Sequence, residues 1–395
     1  MNISWGWMAA TAVAGLVLAA CSPAPQAQEP STPTAARCTV TRGTELAPSS
    51  GILSGVNLDW EHGTLQQYTD GLGRRPAVVV SFTQFPFTAA DATNVEAAYE
   101  QVRAEGGILL LTLEPRKGLA AVTEAVTDKL AGTLDRFNKA GVPVIARFAH
   151  EMNGSWYEWG QKPAEYKAAF RRVAGSIHRL APGSATMWAP NYGGGYPFTG
   201  GAHQAVAGTA AHTALDTDRN GEVTGADDPY APYYPGDDAV DWVGMSLYHW
   251  GNTYPWGANV VPEPGKFLQQ LTGKYQGDGG NDLAVPDFYG EYGKRRGKPV
   301  AIPETAALSV PSRKGAAELA IKQAWWRQLF DAQIPKDYPQ LKMINWFEWN
   351  KNEVEVRAVV DWRSAGTPAI TKAYTADLPD WFRFAPERED CTPGS

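Results

Sequence analysis

Short apolar runs alternate with amphipathic stretches along most of this chain of 395 residues. Runs of this length, often opened by Gly or Pro, are typical of buried strands rather than helices. We predict eight strands, over residues 52–57, 77–82, 108–113, 143–149, 185–190, 240–246, 299–303 and 342–347. The stretches between them have helical periodicity, most clearly 163–180, where Pro163 suits a first turn, and 315–331.

Strands that alternate with helices predict a parallel sheet of the α/β class, and eight repeats predict a closed (β/α)8 TIM barrel. Residues 365–395 have the pattern of a final helix and a tail, so a single catalytic domain is expected. In such a barrel the C-terminal ends of the strands carry the chemistry.

Two glutamates are predicted to lie at that edge. The segment "RFAHEMNGSWYEWG" (147–160) places His150 and Glu151 just after the fourth strand, and "KPVAIPETA" places Glu304 at the end of the seventh. A zinc-protease helix needs a second histidine four residues after the first, and Gly154 occupies that position. Strands four and seven face each other, and two carboxylates about 5–5.5 Å apart are the minimum for retaining glycoside hydrolysis. Their surroundings must leave one protonated and one ionised.

These motifs resemble glycoside hydrolase family 26, which is best known for endo-β-1,4-mannanases. "HEMNGSWYEW" is similar to the acid/base motif of that family, in which His directly precedes the catalytic Glu. The resemblance covers about residues 50–365 and implies that Glu151 is the acid/base and Glu304 the nucleophile.

The resemblance also implies substrate-binding residues. Tyr248, in "YYPGDDAVDWVGMSLY", matches the tyrosine that hydrogen-bonds the nucleophile, and Trp156 matches a tryptophan on which sugars stack. "INWFEWN" resembles the strand that provides the floor of the −1 subsite, a role open to either Trp346 or Trp349. We expect His150 to bind a substrate hydroxyl or the neighbouring carboxylates, although a structural histidine is the alternative.

Two further charged residues at predicted strand ends have expected roles that the sequence does not decide. Arg147 is expected to give structural support and to pair with a glutamate. Glu114 closes the third strand, where it either holds a sugar hydroxyl or forms a salt bridge with Arg116.

A second group of acidic residues, "DTDRNGEVTGAD" (216–227), fits the calcium-loop pattern. The expected ligands are the side chains of positions one, three, five and twelve and one backbone carbonyl: Asp216, Asp218, Asn220, Asp227 and, through its carbonyl, Glu222. Asp227 stands where a longer glutamate is usual, and an acidic loop without a metal is the alternative. We expect any bound Ca²⁺ to be structural, since the two-glutamate reaction needs no cofactor.

The N-terminus has the pattern of an export signal over residues 1–20, followed by a flexible Pro- and Ala-rich tether over 21–37 and the hydrolase domain over 38–395. "LAAC" resembles the lipobox of bacterial lipoproteins, which implies lipidation of Cys21. A plain secretory peptide is the alternative, because no Lys or Arg precedes the apolar run. The remaining cysteines, Cys38 and Cys391, are predicted to form a disulfide, with two free thiols as the alternative.

The net charge of the chain limits the classes of molecule that it is expected to bind. With 42 acidic and 35 basic residues the net charge is −7, which argues against nucleic acid and anionic membranes. We therefore expect an exported monomer that meets a membrane only through a lipid anchor and acts on a neutral polysaccharide. An endo-β-1,4-mannanase is the first expectation and a β-1,3-1,4-glucanase or β-1,3-xylanase the second. A carbohydrate-binding surface lipoprotein without turnover is the alternative from another class.

Overall fold

A computed structural model describes residues 38–277 and 285–386. Eight parallel strands follow one another around a closed barrel, and the ring is completed by pairing of the first strand with the eighth. In chain order the strands are β1 Ile52–Leu58, β2 Val78–Gln84, β3 Ile108–Glu114, β4 Val144–Phe148, β5 Ser184–Trp188, β6 Trp242–Ser246, β7 Val300–Thr305 and β8 Leu341–Glu348. The predicted (β/α)8 barrel is confirmed, and each predicted strand overlaps an observed one.

Nine α-helices surround the barrel within the described residues: α1 Leu65–Leu72, α2 Ala89–Glu105, α3 Glu124–Lys139, α4 Pro163–Leu180, α5 Ala210–Leu215, α6 Lys266–Leu271, α7 Glu318–Leu329, α8 Ile334–Asp337 and α9 Pro368–Asp377. Their starts follow local chemistry. Thr64 and Thr88 close capping boxes at α1 and α2, and Pro163 and Pro368 begin α4 and α9, where a missing N–H costs nothing. None of the helices in the described ranges is long and apolar enough to cross a bilayer.

Three short strands complete the fold. β9 Asn350–Glu353 and β10 Ala358–Asp361 form an antiparallel hairpin just after β8, at the C-terminal rim. β11 Phe382–Arg383 pairs with the first residues of β1.

Alternating residues of each strand divide the core into two layers. Ile145, Trp242, Ala301 and Met343 pack together inside the barrel, whereas their sequence neighbours pack under the helices. By this alternation Arg147 on β4 and Ser246 on β6 face the interior, as Ile145 and Trp242 do.

Several sequence predictions fall outside the described residues, namely the export signal over 1–20, the tether over 21–37, and Cys21 and Cys391. Cys38 is disulfide-bonded, and both other cysteines of the chain lie outside the described ranges, so the pairing with Cys391 stays a prediction.

Candidate active site

The acid/base candidate lies in a tight backbone turn directly after β4. Ala149 and Glu151 have positive φ values of 48° and 54°, which residues other than glycine seldom adopt. The turn is held by the Glu151 N–H, which donates to the Ala189 carbonyl at 2.9 Å. Such conformations cost about 1–3 kcal/mol and cluster at functional sites, where surrounding contacts maintain them.

An irregularity in β7 turns Glu304 toward the barrel mouth. Strict alternation from Ala301, which packs inside the barrel, would send residue 304 outward with Ile302. The register with β8 shifts between Ile302 and Thr305, and Thr305 instead faces α7, where its Oγ1 accepts from Trp325 Nε1 at 2.9 Å. Glu304 therefore points inward, opposite Ser246 of β6. Register shifts of this kind are common beside active sites, where they re-aim a side chain.

Two side chains hold the carboxylate of Glu304. The guanidinium of Arg147, which is fully buried, donates from Nη1 to Oε1 of Glu304 and from Nη2 to Oγ of Ser246, the latter at 2.7 Å. The hydroxyl of Tyr248 donates to Oε2 of Glu304 at 2.7 Å. A buried guanidinium is stable only beside a negative partner. The ion pair with Arg147 and the hydrogen bond from Tyr248 therefore fix the carboxylate of Glu304 at the barrel mouth.

Glu151 has the opposite electrostatic environment. Burial, together with the charge of Glu304, raises its pKa from 4.5 to about 7, although Arg147 and the side chains of Ser246 and Trp156 act to lower it. Trp156 Nε1 donates to Oε2 of Glu151 at 3.1 Å. One carboxyl is thus protonated near neutral pH while the other is paired with a cation, which is the division of roles that general acid and nucleophile require.

His150 is buried in an aromatic setting at 2% exposure. Its ring lies 5.4 Å from the Phe82 ring and 5.0 Å from the Tyr157 ring, and among the described residues Nδ1 has no hydrogen-bond partner. Burial, with the positive charges of Arg147 and Arg116, lowers its pKa well below 6.5, so the imidazole is neutral. The structure shows no hydrogen bond from His150 to either carboxylate; a contact with a substrate hydroxyl stays a prediction.

The three predicted aromatic platforms differ in accessibility. Trp156 is 39% exposed at the rim. Trp349 follows β8, stacks on Phe347 with ring centres 5.5 Å apart, and donates from Nε1 to Asn57 Oδ1 at 3.2 Å. Trp349 is half-buried, so both side chains keep exposed surface, and their contact with a sugar stays a prediction.

Trp346 does not line the barrel mouth as one of the two predictions for the −1 subsite required. It is 1% exposed and packs under the helices, with its ring 6.1 Å from that of Trp326 on α7 and 5.6 Å from that of Tyr374 on α9. Its Nε1 donates to the Trp362 carbonyl at 2.9 Å. Met343 faces the barrel interior, so alternation turns Trp346 outward. The interpretation of Trp346 as a subsite floor is therefore wrong, and only Trp349 remains for that role.

The predicted calcium loop forms a compact turn between α5 and β6. Ligand oxygens of Asp216, Asp218 and Asp227 lie within 4.8 Å of one another, a spacing that one Ca²⁺ with oxygen ligands at about 2.3–2.6 Å can span. Both oxygens of Asp227 also accept backbone N–H groups, from Thr217 at 2.6 Å and from Thr224 at 2.8 Å. The carboxylate at position twelve therefore closes the loop, and the full ligand set with Asn220 and the Glu222 carbonyl stays a prediction.

Sequence reasoning missed Ser246 and Tyr157. Ser246 links Arg147 to the mouth of the barrel, and the Tyr157 ring lies 5.0 Å from His150. The available signal for Ser246 was its position two residues before Tyr248, on the same face of a strand.

Comparison with known proteins agrees with this site. The model of the glycosyl hydrolase family 26 matches residues 112–184, which include Arg147, His150 and Glu151. The match confirms the resemblance to glycoside hydrolase family 26 that the motifs predicted. A solved modular endo-β-1,4-mannanase from Cellulomonas fimi has a similar fold, with a TM-score of 0.56 at 17% identity, over 92% of this chain and 81% of that chain.

Two curated relatives are similar in sequence. Endoglucanase H of Acetivibrio thermocellus is 23% identical over 82% of this chain and 30% of its own length. Beta-1,3-xylanase TXYA of a Vibrio species is 26% identical over 52% of this chain and 39% of its own length. The chain thus spans about a third of the length of these curated relatives.

Proposed function

We propose that this chain is a retaining glycoside hydrolase of family 26 that cleaves a β-linked polysaccharide. The observation that supports it most is the contrast between the two carboxyls at the barrel mouth. The pKa of Glu151 is raised to about 7 by burial and by Glu304, while Glu304 is held by Arg147 and Tyr248. A proton-donating carboxyl and a carboxylate paired with a cation, at one rim of the barrel, are the pair that double displacement requires.

In the first step Glu151 donates its proton to the glycosidic oxygen, and the Glu304 carboxylate attacks the anomeric carbon. The bond from that carbon to the leaving oxygen breaks, and an ester to Glu304 forms. In the second step the ionised Glu151 takes a proton from water, whose oxygen attacks the same carbon and releases Glu304. The β configuration returns after two inversions.

The substrate is a finer proposal. β-1,4-Mannan is the first candidate, because endo-β-1,4-mannan hydrolysis is the commonest activity of the family that the motifs around Glu151 and Tyr248 resemble. β-1,3-1,4-Glucan and β-1,3-xylan follow, and the names of the two curated relatives, an endoglucanase and a β-1,3-xylanase, favour keeping both.

A panel of the three polysaccharides tests this proposal by release of reducing ends. We expect the protein to cleave at least one, and Glu304→Gln to cleave none. A protein that binds one of them without releasing reducing ends would instead be the carbohydrate-binding lipoprotein considered above.

A further inference from the structure

A polar group at the end of β3 flanks the acid/base but has no part in the proposed reaction. Leu113 of β3 pairs with Phe148 of β4, so Glu114 is level with Ala149, next to the segment that carries Glu151. Its neighbours are Arg116 and, from the loop after β4, Tyr157. We call Glu114, Arg116 and Tyr157 the β3 rim cluster.

Arg116 fixes the geometry of this cluster. Its Nη2 donates to Glu114 Oε1 at 2.9 Å, and its guanidinium lies 5.1 Å from the ring centre of Tyr157 and 5.3 Å from that of Trp159. Trp159 is fully buried and stacks on Tyr157 with ring centres 4.4 Å apart. The cluster therefore rests on a rigid aromatic base, as a site that must discriminate between ligands requires.

The cluster lies beside the acid/base. The Tyr157 ring is 5.0 Å from that of His150 and 6.2 Å from that of Trp156, which donates to Glu151. Burial raises the pKa of the Tyr157 hydroxyl, and the charges of Glu151, Glu304 and Glu114 raise it further. None of the hydrogen bonds among the described residues engages that hydroxyl. The Glu114 side chain keeps 14% of its surface exposed while bound to Arg116.

From this arrangement we propose that the β3 rim cluster selects the polysaccharide by binding hydroxyls of one sugar unit in the cleft. The inference rests on the proposed function and deepens it. The carboxylate of Glu114 accepts a hydrogen bond from one hydroxyl, and the Tyr157 hydroxyl contacts a second. Arg116 acts as a positioning residue, because its Nε and Nη2 donate to the carboxylate of Glu114.

The chemistry of the cluster explains why it can discriminate. An ionised carboxylate only accepts hydrogen bonds, so it requires a hydroxyl at one place. Sugars that differ in the orientation or presence of a single hydroxyl supply or withdraw that donor. A site built to bind a hydroxyl rejects an analogue that lacks it far more strongly than an apolar pocket does, because its polar groups are left unpaired.

Binding of hexasaccharides by calorimetry tests the proposal in a Glu304→Gln background, which removes turnover from the measurement. The ligands are β-1,4-mannohexaose, a mixed-linkage β-glucohexaose and β-1,3-xylohexaose. We expect Glu114→Gln to weaken binding of the preferred hexasaccharide by about 10- to 100-fold and Tyr157→Phe to weaken it by about 3- to 10-fold. The affinities for the other two hexasaccharides should fall less.

Glu158→Gln is the matched control, since Glu158 lies 3.5 Å from Nη1 of Arg116, the nitrogen that does not bind Glu114, and is not a member of the cluster. We expect it to change binding by less than about twofold. Equal losses for all three ligands, no loss, a loss matched by the control, or no binding of any ligand would each overturn the inference. Should Glu114→Gln fail to fold, Tyr157→Phe decides, because it removes one oxygen and no packing. Selective binding without cleavage by the native chain would defeat the proposed function and leave this inference standing.

Discussion

The barrel mouth and the loop 216–227 both gather carboxylates, and their surroundings give these groups opposite properties. At the mouth, burial and a neighbouring carboxylate raise the pKa of Glu151 to about 7. Asp227 in the loop is 1% exposed, and burial acts to raise its pKa too, but the backbone N–H groups of Thr224, Asp218 and Thr217 outweigh that effect and lower it. Burial alone does not decide protonation; the neighbours of a carboxyl determine whether it donates protons or remains an anion.

Replacement of Glu304 at the barrel mouth should cause the largest loss of activity. Glu304→Gln removes the nucleophile while keeping its shape, and we expect kcat to fall by more than about 10⁴-fold, because the covalent route is lost. Initial rates on the preferred polysaccharide, with a melting curve to verify folding, measure it. A loss below tenfold in a folded variant would contradict the role of Glu304.

Loss of the proton donor Glu151 should reduce activity less than loss of Glu304, and it should also change the pH dependence. Since Glu151 acts in its protonated form, kcat/KM should decline as the pH rises through about 7, the value to which its pKa is raised. Glu151→Gln should lower kcat by about 10²- to 10⁴-fold and abolish that alkaline limb.

Glu158→Gln provides the control for the pH profile. Its carboxylate pairs with Arg116 at 3.5 Å and not with Glu151, so the alkaline limb should persist. A Glu151→Gln variant that keeps the limb would assign the titration to another group.

The smallest effect concerns the loop. If the anionic carboxylates bind Ca²⁺, a chelator should lower the melting midpoint by about 2–5 °C, and Asp216→Ala should abolish the shift. Glu222→Gln should retain it, because that residue is expected to contribute only its backbone carbonyl. An unchanged midpoint in the native protein would speak against the loop as a metal site.

Most of the architecture follows from local patterns in the sequence. Apolar runs bounded by Gly and Pro predict all eight barrel strands, and Pro163 marks the first residue of α4. The positions of Glu151 and Glu304 after the fourth strand and on the seventh follow from the same pattern, since every parallel strand ends at the same rim.

Side-chain direction could not be predicted at two positions. Trp346 faces the helices because alternation from Met343 sets it so, and the inward or outward phase of β8 is not encoded in so short an apolar run. Glu304 faces inward only because of a register shift, which depends on how β7 pairs with β8. Contacts between distant segments, such as that of Arg147 with Ser246, likewise require the closed barrel.

The configuration of the first product tests the central claim most directly. Proton NMR during hydrolysis of the preferred β-linked substrate shows which anomer of the new reducing end appears before mutarotation. The two-step reaction of Glu151 and Glu304 predicts that the β-anomer appears first. Initial release of the α-anomer would mean a single displacement by water, with carboxyls about 6.5–9.5 Å apart, and would contradict a covalent role for Glu304.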